Sequence, residues 1–253
     1  MNRFFLPTDC INAGEVRFPE AISHQISQVL RLKIGEEVMA LDNSGFEYRV
    51  EIAQASAYAV TGKIKGRQAC QGEPSGRVSL YLGLTQREKF ETMLQKCTEA
   101  GAAAFTPVIT SRSLVQTEKD ISGKQERWNR IICEAAEQSG RGLLPSLSPA
   151  LKFKRALKTT SQHGLVLFLW EKETSVSLRQ ALQSYLQRSA SGSNAERNVA
   201  LLIGPEGGYS DQEAEQARRA GCIPVSLGKR ILRMETAALV ATALVLYEMG
   251  DMG

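Results

Sequence analysis

The chain is poor in the residues that build metal centres and covalent frameworks. It has two histidines, His24 and His163, so a His-rich metal site is excluded and no metal is expected. Its five cysteines, at positions 10, 70, 97, 133 and 222, are odd in number, widely spread and form no CxxC pair. That speaks against a disulfide framework or a zinc site and for a reducing compartment, the cytoplasm. No apolar run reaches the roughly eighteen residues a membrane-spanning helix needs. The longest, AALVATALVLY (Ala237–Tyr247), reads as a buried helix. The opening MNRFFLPTDC lacks the charged, apolar and small-residue order of a signal peptide. No internal repeat is visible.

What is present suits two unequal domains: 253 residues, 43% of them hydrophobic. Residues 1–74 carry 8 Lys/Arg against 9 Asp/Glu, and residues 75–253 carry 23 against 18, so the excess of positive charge lies in the second segment. A weakly basic surface permits nucleic-acid binding without requiring it. The first seventy residues read as short strands with one helix, roughly Glu20 to Leu32. EEVMALD and FEYRVEIAQA flank the turn former Asn43-Ser44-Gly45, and AYAVTGKIKG follows. CQGEPSG (Cys70–Gly76) reads as a linker. Beyond it strands alternate with helices. RVSLYLGL precedes a helix that places Phe90, Met93, Leu94 and Cys97 on one face. AAAFTPVIT, the helix KQERWNRIICEAAEQSG, and the strands GLVLFLW, NVALLI and CIPVSL complete a mostly parallel α/β pattern. RSASGSNAERN (Arg188–Asn198) reads as a surface loop.

One stretch carries chemistry: LLIGPEGGYSDQEAEQA (Leu201–Ala217), an apolar run, a glycine loop and a helix start. The loop is not a Walker A motif, because no Lys-Ser/Thr follows its last glycine. Its GxxGG spacing is not GxGxxG. Neither a triphosphate nor a dinucleotide is its obvious ligand, and a nucleotide- or NAD-dependent enzyme is disfavoured. Ser210 and Glu213 form a capping box. The plain alternative is a tight strand-to-helix turn that uses glycine for positive φ. A second block, VSLGKRILRMETAALVA (Val225–Ala241), sets Arg230, Arg233 and Glu235 beside Ile231 and Leu232 at the mouth of the last helix. Charges there are costly unless they pair, as in an Arg–Glu cap network, or bind something.

These two blocks, together with MNRFF, SHQISQVLRLKIGEEV, REKFETMLQKCTEAGAAAFTPVITSRS and RWNRIICEAAEQSGRGLLPSL, resemble almost end to end the 16S ribosomal RNA uridine-N3 methyltransferases of the SPOUT class. Two departures stand out: Ser23 occupies a place where asparagine commonly precedes the histidine, and GAAAF has alanines where larger aliphatics are usual.

The resemblance implies a small PUA-like, RNA-binding β-barrel over residues 1–72. It also implies a methyltransferase domain over 73–253, a trefoil-knotted, mostly parallel sheet flanked by helices. It further implies S-adenosylmethionine as cofactor, held by Leu169, Trp170, Ile203, Gly204, Pro205, Glu206, Gly207, Gly208, Leu227, Gly228, Ile231, Leu232, Arg233 and Glu235. The partner would be 16S ribosomal RNA or the small ribosomal subunit, with no membrane, and the assembly a homodimer. Methylation at N3 of uracil requires loss of the N3 proton. Arg112, Arg141 and Arg233 are candidates to stabilise the anion, and Glu134, Glu206 and Glu235 to accept the proton or orient an arginine. Glu134, Gln138 and Arg141, spaced i, i+4 and i+7, are expected on one helix face. His24 and Arg31, seven apart on the first helix, and Arg3 are candidates for RNA phosphate, as is the basic run Lys152, Lys154, Arg155 and Lys158. Solvated surface is the plain alternative for each of these. Trp128 and Trp170 either stack on a base or pack. A non-catalytic RNA-binding protein that kept the fold is the competing function.

Overall fold

The computed structural model describes all residues except 57, 117–120, 122, 191–196 and 253. The chain divides into two compact units, one of residues Met1–Glu73 with Cys133–Leu144, the other of Pro74–Ile132 with Pro145–Gly253.

The first unit is a curled six-stranded sheet. Its strands are β1 (Arg3–Phe5), β2 (Ile11–Asn12), β3 (Glu15–Phe18), β4 (Glu37–Leu41), β5 (Phe46–Ala55) and β6 (Val60–Ala69), in the order β1-β4-β5-β6-β3-β2. The Asn43-Ser44-Gly45 segment joins β4 to β5 as an antiparallel hairpin, with Asn43 (φ 60°) and Gly45 (φ 84°) left-handed as a tight hairpin requires. Alternate residues turn inward to a core of Phe4, Val16, Phe18, Val38, Val50, Ile52 and Val60.

The helix expected from Glu20 to Leu32 is shorter. α1 spans Glu20–His24, a π-helical turn continues over Gln25–Val29, and Arg31 lies past it with φ 55°. The wider turn and the left-handed residue break the i, i+7 register, so His24 and Arg31 do not share a helix face. Both are exposed. Ser23 is buried: its hydroxyl donates to the Phe18 carbonyl (2.9 Å) and accepts from Val60 N–H (3.0 Å), tying α1 to the sheet.

Among the described residues the second unit holds seven strands, all parallel. They are β7 (Arg77–Gly83), β8 (Ala104–Ile109), β9 (Ser146–Leu147), β10 (Leu151–Lys152), β11 (Leu165–Leu169), β12 (Asn198–Ile203) and β13 (Ile223–Val225). The order is β10-β8-β7-β12-β11-β13, with β9 beside β8. The central strands read as continuous apolar runs because both faces are covered. On one face Val78, Leu80 and Leu82 of β7 and Val199, Leu201 and Ile203 of β12 meet α2 (Arg87–Glu99), α5 (Leu178–Ala190) and α7 (Met234–Met249). Phe90, Met93, Leu94 and Cys97 are all buried in that core. On the other face Tyr81, Ala200 and Leu202 meet α4 (Phe153–Thr159) and α6 (Asp211–Arg219). α5 runs to Ala190, so the expected loop begins later than Arg188, and its residues 191–196 lie outside the described residues.

The long helix α3 (Gln125–Ser139) starts in the second unit, where Trp128 packs on Phe90 with ring centroids 4.6 Å apart. Its last turns, with residues up to Leu144, belong to the first unit. There Ala136 joins Phe5 and Leu41, and the Glu137 carboxylate accepts from Phe5 N–H (2.8 Å).

Candidate active site

All strands of the second unit point the same way, so the loops that follow β8, β11, β12 and β13 leave from one edge of the sheet. That carboxyl edge is where open α/β sheets bind ligands. It carries a cleft of about 660 Å³ walled by the ends of three strands. Leu169 and Trp170 come from β11, Ile203 to Gly208 from β12 and the loop after it, Leu227 to Arg233 from the segment between β13 and α7, and Glu235 from the first turn of α7. The fourteen residues assigned to a cofactor by resemblance all line this one cleft, from Leu169 to Glu235.

The glycines are there for space. A Cβ on Gly204 would stand 3.0 Å from the Tyr209 ring, and one on Gly208 2.8 Å from the Glu171 carboxylate. Gly208 is also left-handed (φ 66°), and its N–H closes the turn on the Pro205 carbonyl at 2.8 Å. On β7 beneath, a Cβ at Gly83 would meet Pro205 N at 2.5 Å. The loop lies too close to its neighbours for side chains, which leaves its backbone groups as the wall of the cleft.

Polar groups at the rim are fixed by partners. Lys89 of α2 pairs with Glu206. Arg112, on the turn after β8, donates to the Gly207 carbonyl at 2.7 Å. Next to it the Ser111 N–H and hydroxyl both donate to Glu213, each at 2.8 Å, while Glu213 also accepts from Ser210 N–H and Oγ in the capping box that opens α6. Burial alone would raise the Glu213 carboxyl, but the hydrogen bonds from Ser111 and Ser210 outweigh it and hold it below the usual carboxylate range. Arg112 thus touches the glycine loop without being a wall residue, and Glu213 ties its turn to the same loop.

The block before α7 stays open. Lys229, Arg230 and Arg233 are exposed and make no ion pair among the described residues, so the Arg–Glu cap network is not formed. Arg233 is the N-cap residue of α7 without a side-chain cap bond. Ile231, 90% exposed, presents an apolar side chain at the cleft. One oxygen of Glu235, Oε2, is buried with no hydrogen-bond partner among the described residues, and so is the indole N–H of Trp170, whose ring carries the Arg218 guanidinium at 4.9 Å. Orphaned buried polar atoms are costly, and two in the wall of one cleft mark groups a ligand would satisfy. An acceptor with a donor, an apolar cover and a glycine cradle without phosphate-binding lysine fit S-adenosylmethionine, with its ammonium, adenine and sulfonium.

Several expected residues are elsewhere. Arg141 is 3% exposed in the first unit. α3 ends at Ser139 and Gly140 (φ 80°) turns the chain, so Arg141 leaves the face of Glu134 and points inward. Its Nη2 meets Glu73 at 2.9 Å, and Glu73 also accepts from the N–H groups of Gly142 and Leu143. Arg141 is therefore held as a clamp on Glu73 and is not among the residues that line the cleft. Glu134 is exposed in the same unit and does not line the cleft. Arg3 is bound to Glu47 (2.7 Å), with 16% of its side chain exposed. Lys89, Glu171 and Tyr209 line the cleft without having been singled out. No sequence signal joins Lys89 to a loop 117 residues away.

The chain belongs to the RNA methyltransferase family, with its methyltransferase domain matched over residues 72–246 and an RNA methyltransferase PUA domain over 20–65. Within that family it is similar to proteins named ribosomal RNA small subunit methyltransferase E. The protein from Synechocystis sp. is 35% identical over 242 residues, 95% of this chain and 76% of that one. The protein from Bacillus subtilis is 31% identical over 246 residues, 96% and 91%. A structure of the Neisseria gonorrhoeae enzyme bound to S-adenosyl methionine superposes with a TM-score of 0.83 at 28% identity, covering 98% of both chains.

Proposed function

We propose that this chain is an S-adenosylmethionine-dependent methyltransferase acting on N3 of uracil 1498 in 16S ribosomal RNA. The observation that carries the reading is the single cleft. Its glycine cradle, apolar cover and orphaned polar atoms coincide with the residues the family resemblance assigns to the cofactor, and proteins of this family and fold bind that molecule. When bound, the cofactor supplies an electrophilic methyl group on sulfur.

The chain's own residues do the rest. The glycine loop and the turn before α7 hold the cofactor. Arg233, exposed at the cleft with no carboxylate partner among the described residues, and Arg112, fixed to the Gly207 carbonyl, face the negative charge that develops on the uracil as N3 loses its proton. Of the carboxylates singled out in the sequence, Glu206 is occupied by Lys89 and Glu134 is outside the cleft. Glu235, with a free oxygen in the wall, is the one placed to accept a proton or a donor of the cofactor. The division of labour follows the two segments, residues 1–72 as the RNA-binding barrel and 73–253 as the catalytic domain, with Cys133–Leu144 of the second segment packed in the first unit. The sheet order β7-β12-β11-β13, in which β12 inserts between β7 and β11, supports the trefoil knot. The exposed apolar residues of α7 support a homodimer.

The test is mass spectrometry of 16S rRNA from a strain lacking the gene. N3-methyluridine at this position is expected to be absent and restored by the wild-type chain but not by Arg233→Ala. Persistence of the modification in the deletion strain would remove the assignment and favour a non-catalytic RNA-binding protein.

A further inference from the structure

Two parts of the second unit carry positive charge without any carboxylate in the sequence around them. Residues 145–170 contain no Asp or Glu, and neither do residues 216–234. The second stretch supplies the open cations of the cleft. The first holds Lys152, Lys154, Arg155 and Lys158, all exposed and none in an ion pair among the described residues. Elsewhere in this unit exposed cations are commonly paired, as in Lys96–Glu99, Lys172–Asp211 and Arg219–Glu215.

The fold gives these four residues one direction. α4 buries Phe153, Ala156 and Leu157 against the sheet. Lys154, Arg155 and Lys158, at i, i+1 and i+4, are left on its solvent face. Lys152 ends β10 and pairs in register with Ile109 of β8, three residues before Arg112. The basic face therefore begins at the carboxyl edge of the sheet, on the side from which Arg112 reaches the glycine loop. Lys229, Arg230 and Arg233 follow β13 at the opposite end of the same edge. The five strand steps from β10 to β13 span about 24 Å at the usual strand spacing. A row of unpaired cations on both flanks of one cleft repels itself and is stabilised by a polyanion laid along it.

We infer that the Lys152–Lys158 face is a phosphate-binding surface that holds the RNA backbone flanking the target nucleotide as it enters the cleft. The inference rests on RNA being the substrate. The chemistry it needs is a run of phosphates at nucleic-acid spacing. The contacts fix position and carry no base information.

The experiment compares the full-length wild type with Lys154→Ala/Arg155→Ala/Lys158→Ala, using a 16S rRNA transcript and fluorescence anisotropy over a salt series. The triple variant is expected to bind at least about tenfold more weakly, and its log–log salt slope to be shallower by about 2 to 3, one released counterion set per lost phosphate contact. KM for the transcript should rise in parallel. The Kd for S-adenosylmethionine by calorimetry should stay within about twofold, since the replaced residues are outside the cleft. Lys96→Ala, removing a paired cation, should leave the slope unchanged. A triple variant with wild-type affinity and slope would overturn the inference and return this face to ordinary solvated surface. A wild type that binds the cofactor but neither the transcript nor the small ribosomal subunit would overturn the substrate reading itself, and the surface with it. An equal loss of affinity for the cofactor would mean damage to the cleft and would also reject the surface.

Discussion

Gly208 and Arg141 show how differently two residues act that the sequence put in the same site. Gly208 has φ 66° and no room for a Cβ beside the Glu171 carboxylate. Gly208→Val should therefore cost backbone strain of about 1–3 kcal/mol and distort the wall of the cleft. We expect calorimetry to find no measurable S-adenosylmethionine binding while circular dichroism stays native; unchanged affinity would move the cofactor elsewhere. Arg141→Ala should do the reverse. Its guanidinium is buried against Glu73, and removal of one partner from such a pair costs on the order of 3 kcal/mol. The first unit should lose stability in thermal melts, with cofactor affinity kept. A variant with full stability and no activity would restore Arg141 to the chemistry. The sequence could not place it, because an i, i+7 count assumes the helix continues, whereas Gly140 ends it one residue earlier.

At the scale of elements, the coupling between the turn after β8 and the start of α6 decides where Arg112 stands. The link is Glu213, which accepts from both Ser111 and Ser210. Its carboxyl is held low in the fold, so it contributes stability that is present above the unfolded pKa and is lost as pH falls through the folded value. The stability difference between wild type and Glu213→Gln should be about 2 kcal/mol near neutral pH. It should shrink on acidification below the usual carboxylate range; a difference that grows in acid would reverse the sign assigned here. If Glu213 acts through Arg112, Arg112→Ala/Glu213→Gln should turn over no more slowly than Arg112→Ala alone. Additive losses in kcat would show two independent roles. The strand–helix alternation and the capping box were readable because each has a local period or spacing. The Ser111–Glu213 and Lys89–Glu206 links were not, since they join residues about a hundred positions apart through a sheet order no local pattern encodes. The π-helical turn after His24 was equally hidden, since its apolar spacing still passes for a helix.

At the scale of the molecule, helix α7 bears on assembly. Its buried face, Ala238, Ala241, Thr242, Val245, Leu246 and Met249, packs in its own unit. Leu239 (36% exposed), Leu244 (42%) and Tyr247 (61%) stand on the other side. The sequence could tell that this helix is apolar over most of its surface, but not which side the sheet takes. Leu246 is fully buried, so substitutions on the two sides have different outcomes. Leu246→Glu places an unpaired carboxylate in the core and should unfold the second unit, with loss of the circular dichroism signal. Leu239→Glu or Leu244→Glu leaves that core untouched. If two chains meet along this helix, light scattering of the wild type should give about twice the chain mass of 27.7 kDa. The Leu239 and Leu244 variants should then fall to single chains with native circular dichroism. Mixing an Arg112→Ala chain with an Arg233→Ala chain adds a functional readout. Recovery of part of the wild-type turnover would mean that each cleft draws one of the two arginines from its neighbour. No recovery from a stable mixed dimer would place both arginines on the same chain as the cofactor they serve. A monomeric, fully active wild type would reject both the dimer and the shared site.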